Sequence, residues 1–528
     1  MFAKKTYWLI LVLILFSAAF IRFYRLVDLP PALNWDEVSH AYNAYSLLKT
    51  GRDQWGVPFP VLNYRAYGDY PAVLDTYLTV VPIFLFGPTD YSVRMVPALV
   101  GVLTCLLGFL AGFYYFKKPA PALLLCLFIA FEPWTFFPSR AVFQSNLAVL
   151  LLTLGLALYF AKRPFWAVVI WGLSLFAYHN TRIFIPLFLI FLLPKFIKNT
   201  RVFLASLSVI IFGLGILILP QTRARSSWVG ILDSGAIAYL EQLRNHSPLP
   251  LLLTRLLVNR PVYFMTTAVR HYFQYFSPAF LFISGGTQYQ YSIPGFGVMN
   301  WADLPFFYFG LYLLFKKRKY FLLSWILLSP LPAAVTRDEF AVIRSTAMLP
   351  VVFLITVYGF WYFWKRLQQK FHLVLGGLFI GVYCLFVWFY FSDFLSNYPV
   401  KYSASWQYGY QQLTSYLNTI SNRYDRIIVT KRYGEPHEYF LWYLRIDPRY
   451  YQTTASLAWN FHDDWFWVDA FSKFRFVNDW ELPDIVSKRD PGIHAIVVTS
   501  PDHQIKNGGL LYRINFLDRS PALFVKQI

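Results

Sequence analysis

Two adjacent carboxylates, Asp36 and Glu37, open the stretch NWDEVSHAYNAYSLLKTG a few residues after a long apolar segment. Acids at a helix start are favoured by its dipole, and Asn34 is a plausible N-cap, so capping alone is the plain reading. An acid pair beside the hydrocarbon boundary is costly unless it is used, so the sharper reading is a general base for proton abstraction. His40 lies one helical turn from Asp36, and Asp36, Glu37 and His40 admit a shared divalent ion, although ligands on one segment are a weak metal signal.

Further groups recur at the ends of other apolar segments. Glu132 and Arg140 stand in AFEPWTFFPSRAVFQSN, His179 and Arg182 in AYHNTRIF, and Arg344 in AVTRDEFAVIRS; Arg65 and Asp69 fall in NYRAYGDYPAV, and Arg94 in DYSVRMVPAL. Singly, each is an ordinary interfacial anchor or surface ion pair. Together they provide carboxylates and cations on one face of a membrane. That set suits a reaction in which a hydroxyl loses a proton and an anionic phosphate departs.

The elements that must position these groups are read from composition and charge. The chain has 528 residues, 57% hydrophobic and 14% charged, and its mean hydropathy is +0.44, which marks a polytopic membrane protein. The net charge of +20 is concentrated in acid-free gaps between apolar runs: Lys4 and Lys5, Lys117 and Lys118, Lys162 and Arg163, Lys195 to Arg201, Lys316 to Lys319, and Lys365 to Lys370. One-sided loops of this kind follow the positive-inside rule, so the charge reports topology and not nucleic-acid binding. The three cysteines lie inside apolar runs and define neither a disulfide framework nor a zinc motif.

With those gaps on the cytoplasmic side, apolar stretches of ~20 residues give about eleven spanning helices between residues 6 and 392. The stretch 72–88 would invert every later gap if it crossed, so it is expected to lie as a surface helix in the first outer loop. The N-terminus is then cytoplasmic, and residues 23–92, 221–300 and the chain beyond about 391 face outward. A membrane core over 1–392 and an extracytoplasmic α/β domain over 393–528 are expected. Strands are predicted at 426–430, 494–500 and 522–527, and a helix at 406–420.

The motifs WDE, YGDYPA, DYSVRMVPAL, FEPWTFFPSR and YHNTRIF resemble the GT-C superfamily of integral-membrane glycosyltransferases. The likeness is greatest to the protein O-mannosyltransferase and lipid A aminoarabinose transferase group, and it covers roughly residues 1–360. The resemblance implies transfer of a hexose or pentose from a polyprenyl-phosphate-linked donor to a lipid, glycan or protein acceptor at the extracytoplasmic face of the cell membrane, with inversion. It implies Asp36 as catalytic base, Glu37 as its acidic neighbour and Glu132 as a second acid. Arg65, Arg94, Arg140, His179, Arg182 and Arg344 are the candidate donor-phosphate ligands. Relatives with a lysine before a proline pair differ from this chain, which has Arg65, Asp69 and a single Pro71. The rival reading, a flippase or transporter of a lipid-linked glycan, would place its charges near the bilayer midplane and often show repeats; neither is evident in the sequence.

Overall fold

The computed structural model describes residues 2–222, 229–462, 465–488, 492–503, 505 and 508–528. Part of the loop expected outside, 223–228, therefore lies outside the described residues. The chain falls into two compact units whose boundaries do not follow chain order. The first joins Met1–Tyr24, Pro97–Ser139 and Phe143–Phe391, and the second joins Arg25–Val96, Arg140–Val142 and Ser392–Ile528.

The first unit is helical, as its long apolar runs dictate. Among the described residues, four helices are long and apolar enough to cross a membrane: the stretch Thr6–Phe23 of α1 (Phe2–Phe23), Asp90–Phe116, Thr200–Ile218 and Gln369–Leu395. A fifth would be the pair Pro119–Phe131 and Pro133–Arg140, bent by 62°. The figure of eleven is thus not reached by length. Within the apolar stretch 320–335 the chain forms two short helices, Tyr320–Leu328 and Leu331–Ala334, the second with Pro332 in its first turn, where hydropathy alone reads one continuous run. The chain is a multi-pass membrane protein by its apolar helices.

The second unit contains α2 (Trp35–Thr50) and α3 (Leu74–Phe86) together with a seven-stranded mixed sheet. At 13 residues, α3 is shorter than the ~20 needed for a span. The strands are β1 (Arg426–Thr430), β2 (Ala458–His462), β3 (Trp465–Phe471), β4 (Phe474–Val477), β5 (Ala495–Thr499), β6 (Gly509–Asn515) and β7 (Pro521–Gln527). Their order is β2-β3-β4-β1-β5-β7-β6, with β1 parallel to both β4 and β5 and the remaining pairs antiparallel. The buried Ile and Val of β1 and β5 make the centre of the sheet. The helix expected at 406–420 begins at Tyr410, because Gly409 at φ 117° sits in a conformation that no helix continues through.

One apolar core unites these parts. Val38, Ala41 and Tyr42 of α2 pack in a single cluster with Leu413, Ile427, Phe440 and Val498. The Tyr42 hydroxyl donates to the Ile446 carbonyl at 3.2 Å. Trp35 lies so close to Gly434, at φ 106°, that a Cβ there would stand 2.1 Å from its ring. Only glycine fits both the backbone and the space.

Candidate active site

The acid pair divides its labour at the start of α2. Asn34 and Glu37 form a reciprocal capping box: the Asn34 side chain accepts the Glu37 N–H at 3.0 Å, and Glu37 Oε2 accepts the Asn34 N–H at 3.1 Å. Glu37 is fully buried, and its carboxylate also meets Arg94 Nε at 3.0 Å, Arg94 Nη2 at 2.9 Å and the Val142 N–H at 3.1 Å. No lone pair is left pointing to solvent or substrate. Asp36, one residue earlier, remains partly exposed, and its Oδ1 accepts a hydrogen bond from the Tyr67 hydroxyl. Burial, reinforced by the charge of Asp36, holds the Tyr67 phenol well above its ordinary pKa, so Tyr67 stays a donor. Its ring is stacked on Trp465 at 4.9 Å.

Two arginines expected at a phosphate are engaged within the second unit. Arg94 is buried, and its five N–H groups reach Glu37 and the carbonyls of Leu26, Val27, Pro30 and Ala32. Arg140 is also buried and donates to Leu29 O at 2.7 Å and Arg25 O at 3.1 Å. Both pin the 25–32 segment that leads into α2. Arg65 lies over Trp55 at 3.9 Å, with Phe466 at 4.4 Å and Trp459 at 5.1 Å, so its face is sandwiched by aromatic rings.

His40 is buried, with Nε2 2.8 Å from Thr79 Oγ1 and Nδ1 3.1 Å from Thr76 Oγ1. Burial drives its pKa down to about 3, so the ring is neutral at ordinary pH. With both ring nitrogens engaged and the Glu37 carboxylate saturated, Asp36, Glu37 and His40 do not fit a divalent ion. Among the described residues, no group of three or more His, Cys, Asp and Glu side chains is arranged to hold one.

A second cluster sits beneath α2, in the motif RYGEPHEYF. The buried His437 faces Glu435 through Nδ1 and Glu438 through Nε2, each at 3.3 Å. Glu435 accepts from Trp465 Nε1, and Glu438 accepts from Gln54 at 2.9 Å. Burial opposes charging the imidazole, but Glu438 and Glu435 together outweigh it and raise the pKa to about 9. Tyr67, Trp465, Glu435, His437 and Glu438 thus form a continuous support behind Asp36. Tyr67 and Trp465 were not singled out by spacing; only the fold brings them to the acid.

In the first unit, Glu132 ends the helix Pro119–Phe131, and its Oε2 accepts the Asn300 N–H at 2.6 Å. Asp303 and Tyr383 lie beside it, all three buried. Neither neighbour stood out in the sequence, since Asp303 reads there as a helix-start acid in NWADLP.

His179, Arg182 and Arg344 come together. They line a pocket of about 140 Å³ with Tyr178, Asn180 and Thr336. Arg182 is buried, donates through Nε to Leu175 O at 2.9 Å, and places Nη1 2.9 Å from His179 Nδ1. Because guanidinium cannot accept, His179 Nδ1 does, and the ring proton sits on Nε2. Arg344 pairs with Asp338 at 2.8 Å, and its carbonyl accepts from Asn180 Nδ2 at 3.2 Å. The result is a small concave site lined by two arginines, a histidine and an amide side chain, whose N–H donors suit an anion.

No protein-family model matches the sequence, and no curated protein matches it. Similar solved structures exist. ArnT from Cupriavidus metallidurans in the apo state aligns with a TM-score of 0.52 and 13% identity, covering 99% of this chain and 98% of that one. ArnT bound to undecaprenyl phosphate aligns with a TM-score of 0.50 and 11% identity over 97% of each chain. The Archaeoglobus fulgidus oligosaccharyltransferase in its apo form gives 0.48 at 13% identity, covering 85% of this chain and 64% of that one. Over nearly its whole length, therefore, this chain has the fold seen in ArnT.

Proposed function

We propose that the chain is a membrane glycosyltransferase that takes a sugar from a polyprenyl-phosphate-linked donor and transfers it to a lipid, glycan or protein acceptor at the extracytoplasmic face. The observation that carries this reading is the end-to-end likeness to ArnT, one of whose structures holds undecaprenyl phosphate. The eleven-span topology with a cytoplasmic N-terminus rests on the acid-free basic loops.

Asp36 is the general base. It is the acid of the pair that remains accessible, and the Tyr67 hydrogen bond fixes its rotamer. As the acceptor hydroxyl attacks the anomeric carbon of a hexose or pentose, its proton passes to Asp36, the bond from the anomeric carbon to the phosphate oxygen breaks, and the configuration inverts. His179, Arg182 and Arg344 bind the departing phosphate through preorganised donors. Glu37, Arg94 and Arg140 serve as positioning residues for the 25–37 segment, and Arg65 as a stacked support; Glu132 is a buried second acid held by Asn300.

Purified full-length protein incubated with a labelled polyprenyl-phosphate sugar and candidate acceptors should release free polyprenyl phosphate in step with labelled product. Movement of intact donor across a vesicle bilayer with no release would identify a flippase instead.

A further inference from the structure

The first unit carries a second lipid-sized feature that the transfer reaction does not use. Helices Leu304–Lys316 and Val351–Trp364 approach backbone to backbone. A Cβ on Gly310 would meet Ile355 O at 2.2 Å, and one on Gly359 would meet Phe306 O at 2.1 Å. Large side chains are therefore displaced to the flank of this contact. There, with helix Gln369–Leu395, they surround a groove of about 470 Å³, within the range of ordinary ligand pockets. Its walls include Phe306, Phe309, Phe360, Trp364, Leu375 and Phe379. Phe306, Phe360 and Phe379 touch one another at ring distances of 4.8 to 5.7 Å and form one continuous apolar face.

One end of the groove, at Trp364, adjoins two basic loops. Lys316, Lys317, Arg318 and Lys319 follow the first helix, and Lys365, Arg366 and Lys370 join the other two; all seven are exposed, and neither loop contains an acid. Basic loops alone are ordinary topology signals. What distinguishes this pair is that Lys317 and Arg366 converge on a single ring, Tyr362, at 4.9 and 3.6 Å. His372 closes the same end by stacking on Trp364 at 4.6 Å. An apolar groove between apolar helices, ending in cations that pair with no acid among the described residues, is the complement of an anionic lipid.

We propose that this groove binds an anionic glycerophospholipid of the surrounding bilayer, with an acyl chain along the Phe306, Phe360 and Phe379 face and the phosphate headgroup held by Lys317, Arg366 and Lys370. The donor's phosphate is assigned above to a different pocket, so a resident bilayer lipid is the occupant of this one.

Native mass spectrometry of the full-length protein, offered phosphatidylglycerol and phosphatidylcholine of matched acyl chains, tests the assignment. Phosphatidylglycerol should be retained preferentially. Replacing Lys317, Arg366 and Lys370 together by Gln should weaken retention by roughly a hundredfold, about fivefold for each charge. Leu375→Trp, which fills the groove and leaves the loops intact, should also expel the lipid. Because the three basic residues are exposed, the Gln variant should fold, and an unchanged circular dichroism melt verifies it. Equal retention of the two lipids, or equal retention by the triple variant, would overturn the proposal. So would displacement of phosphatidylglycerol by stoichiometric polyprenyl phosphate with the same dependence on the three basic residues, since the occupant would then be the donor.

Discussion

Glu37 and Arg94 meet at 2.9 Å with neither side chain exposed, 57 residues apart in the chain. The pair ties the start of α2 to the start of the helix Asp90–Phe116. Removing one partner of such a pair strands the other charge in a buried site, which typically costs about 3–5 kcal/mol. Glu37→Gln should therefore lower the melting temperature sharply in detergent, and Arg94→Gln should do the same. A Glu37→Gln protein that melts with the wild type and has lost only activity would return Glu37 to the chemistry.

Asp36→Asn should show the opposite split. Asn keeps the size of the side chain and can still accept from Tyr67, but it cannot take up the acceptor proton. Transfer should be abolished while the melting temperature and donor binding stay near wild type. Tyr67→Phe should slow transfer by roughly tenfold, the worth of one hydrogen bond to a charged group. Near-normal turnover by Asp36→Asn would reduce Asp36 to a helix-start acid.

These two acids show how much of the site was legible. The Asn34 cap and the helix after it follow from local spacing, and so does the presence of an acid pair. Which of the two stays partly exposed does not, because Glu37 is enclosed by Arg94 and Val142, both distant in sequence. The strands followed the same division. The apolar runs of β1, β5 and β7 are buried and read as strands, whereas β2 and β3 are aromatic, half-exposed and weakly alternating, and their place depends on pairing with each other. Hydropathy likewise located the apolar helices but ran through the break between Leu328 and Leu331.

Arg344 is the safest probe of the anion pocket, since its side chain is 21% exposed and the carbonyl that anchors its backbone would survive substitution. Arg344→Gln should fold, raise the KM for the lipid donor and reduce kcat by about 10²-fold, the usual effect of losing one preorganised donor. Arg182→Gln should have a similar kinetic effect with added instability, because Arg182 is buried and also holds Leu175 O. Unchanged kinetics for Arg344→Gln in a folded protein would remove the pocket from the reaction.

His437 makes stability depend on pH. Its folded pKa of about 9 lies above the ordinary 6.5, so the folded state holds the proton more tightly than the unfolded one. The resulting stabilisation is complete below about pH 6.5 and is lost as the pH rises through about 9, with a ceiling on the order of 3 kcal/mol. Thermal melts from pH 6 to pH 10 should show that decline, and His437→Gln should flatten it while lowering stability at neutral pH. A decline of equal size in His437→Gln would assign the dependence to other groups.

The tail is the last element to test. A terminal α/β domain suggests that the chain could be cut after Asp393 and still cleave donor, with only acceptor recognition impaired. The core of the second unit argues otherwise. Val38, Ala41 and Tyr42 on the inner face of α2 are covered by Leu413, Phe440 and Val498, and Gln54 donates to Glu438. Truncation would expose that face and remove Trp465 from behind Tyr67. Burial of each large apolar side chain is worth ~1.5–3 kcal/mol, so loss of this cover exceeds what an isolated surface helix can sustain. The truncated protein should therefore release no polyprenyl phosphate, and α2 should become accessible to limited proteolysis while the apolar helices remain protected. Wild-type donor cleavage by the truncated chain would show that α2 holds Asp36 in place without the sheet.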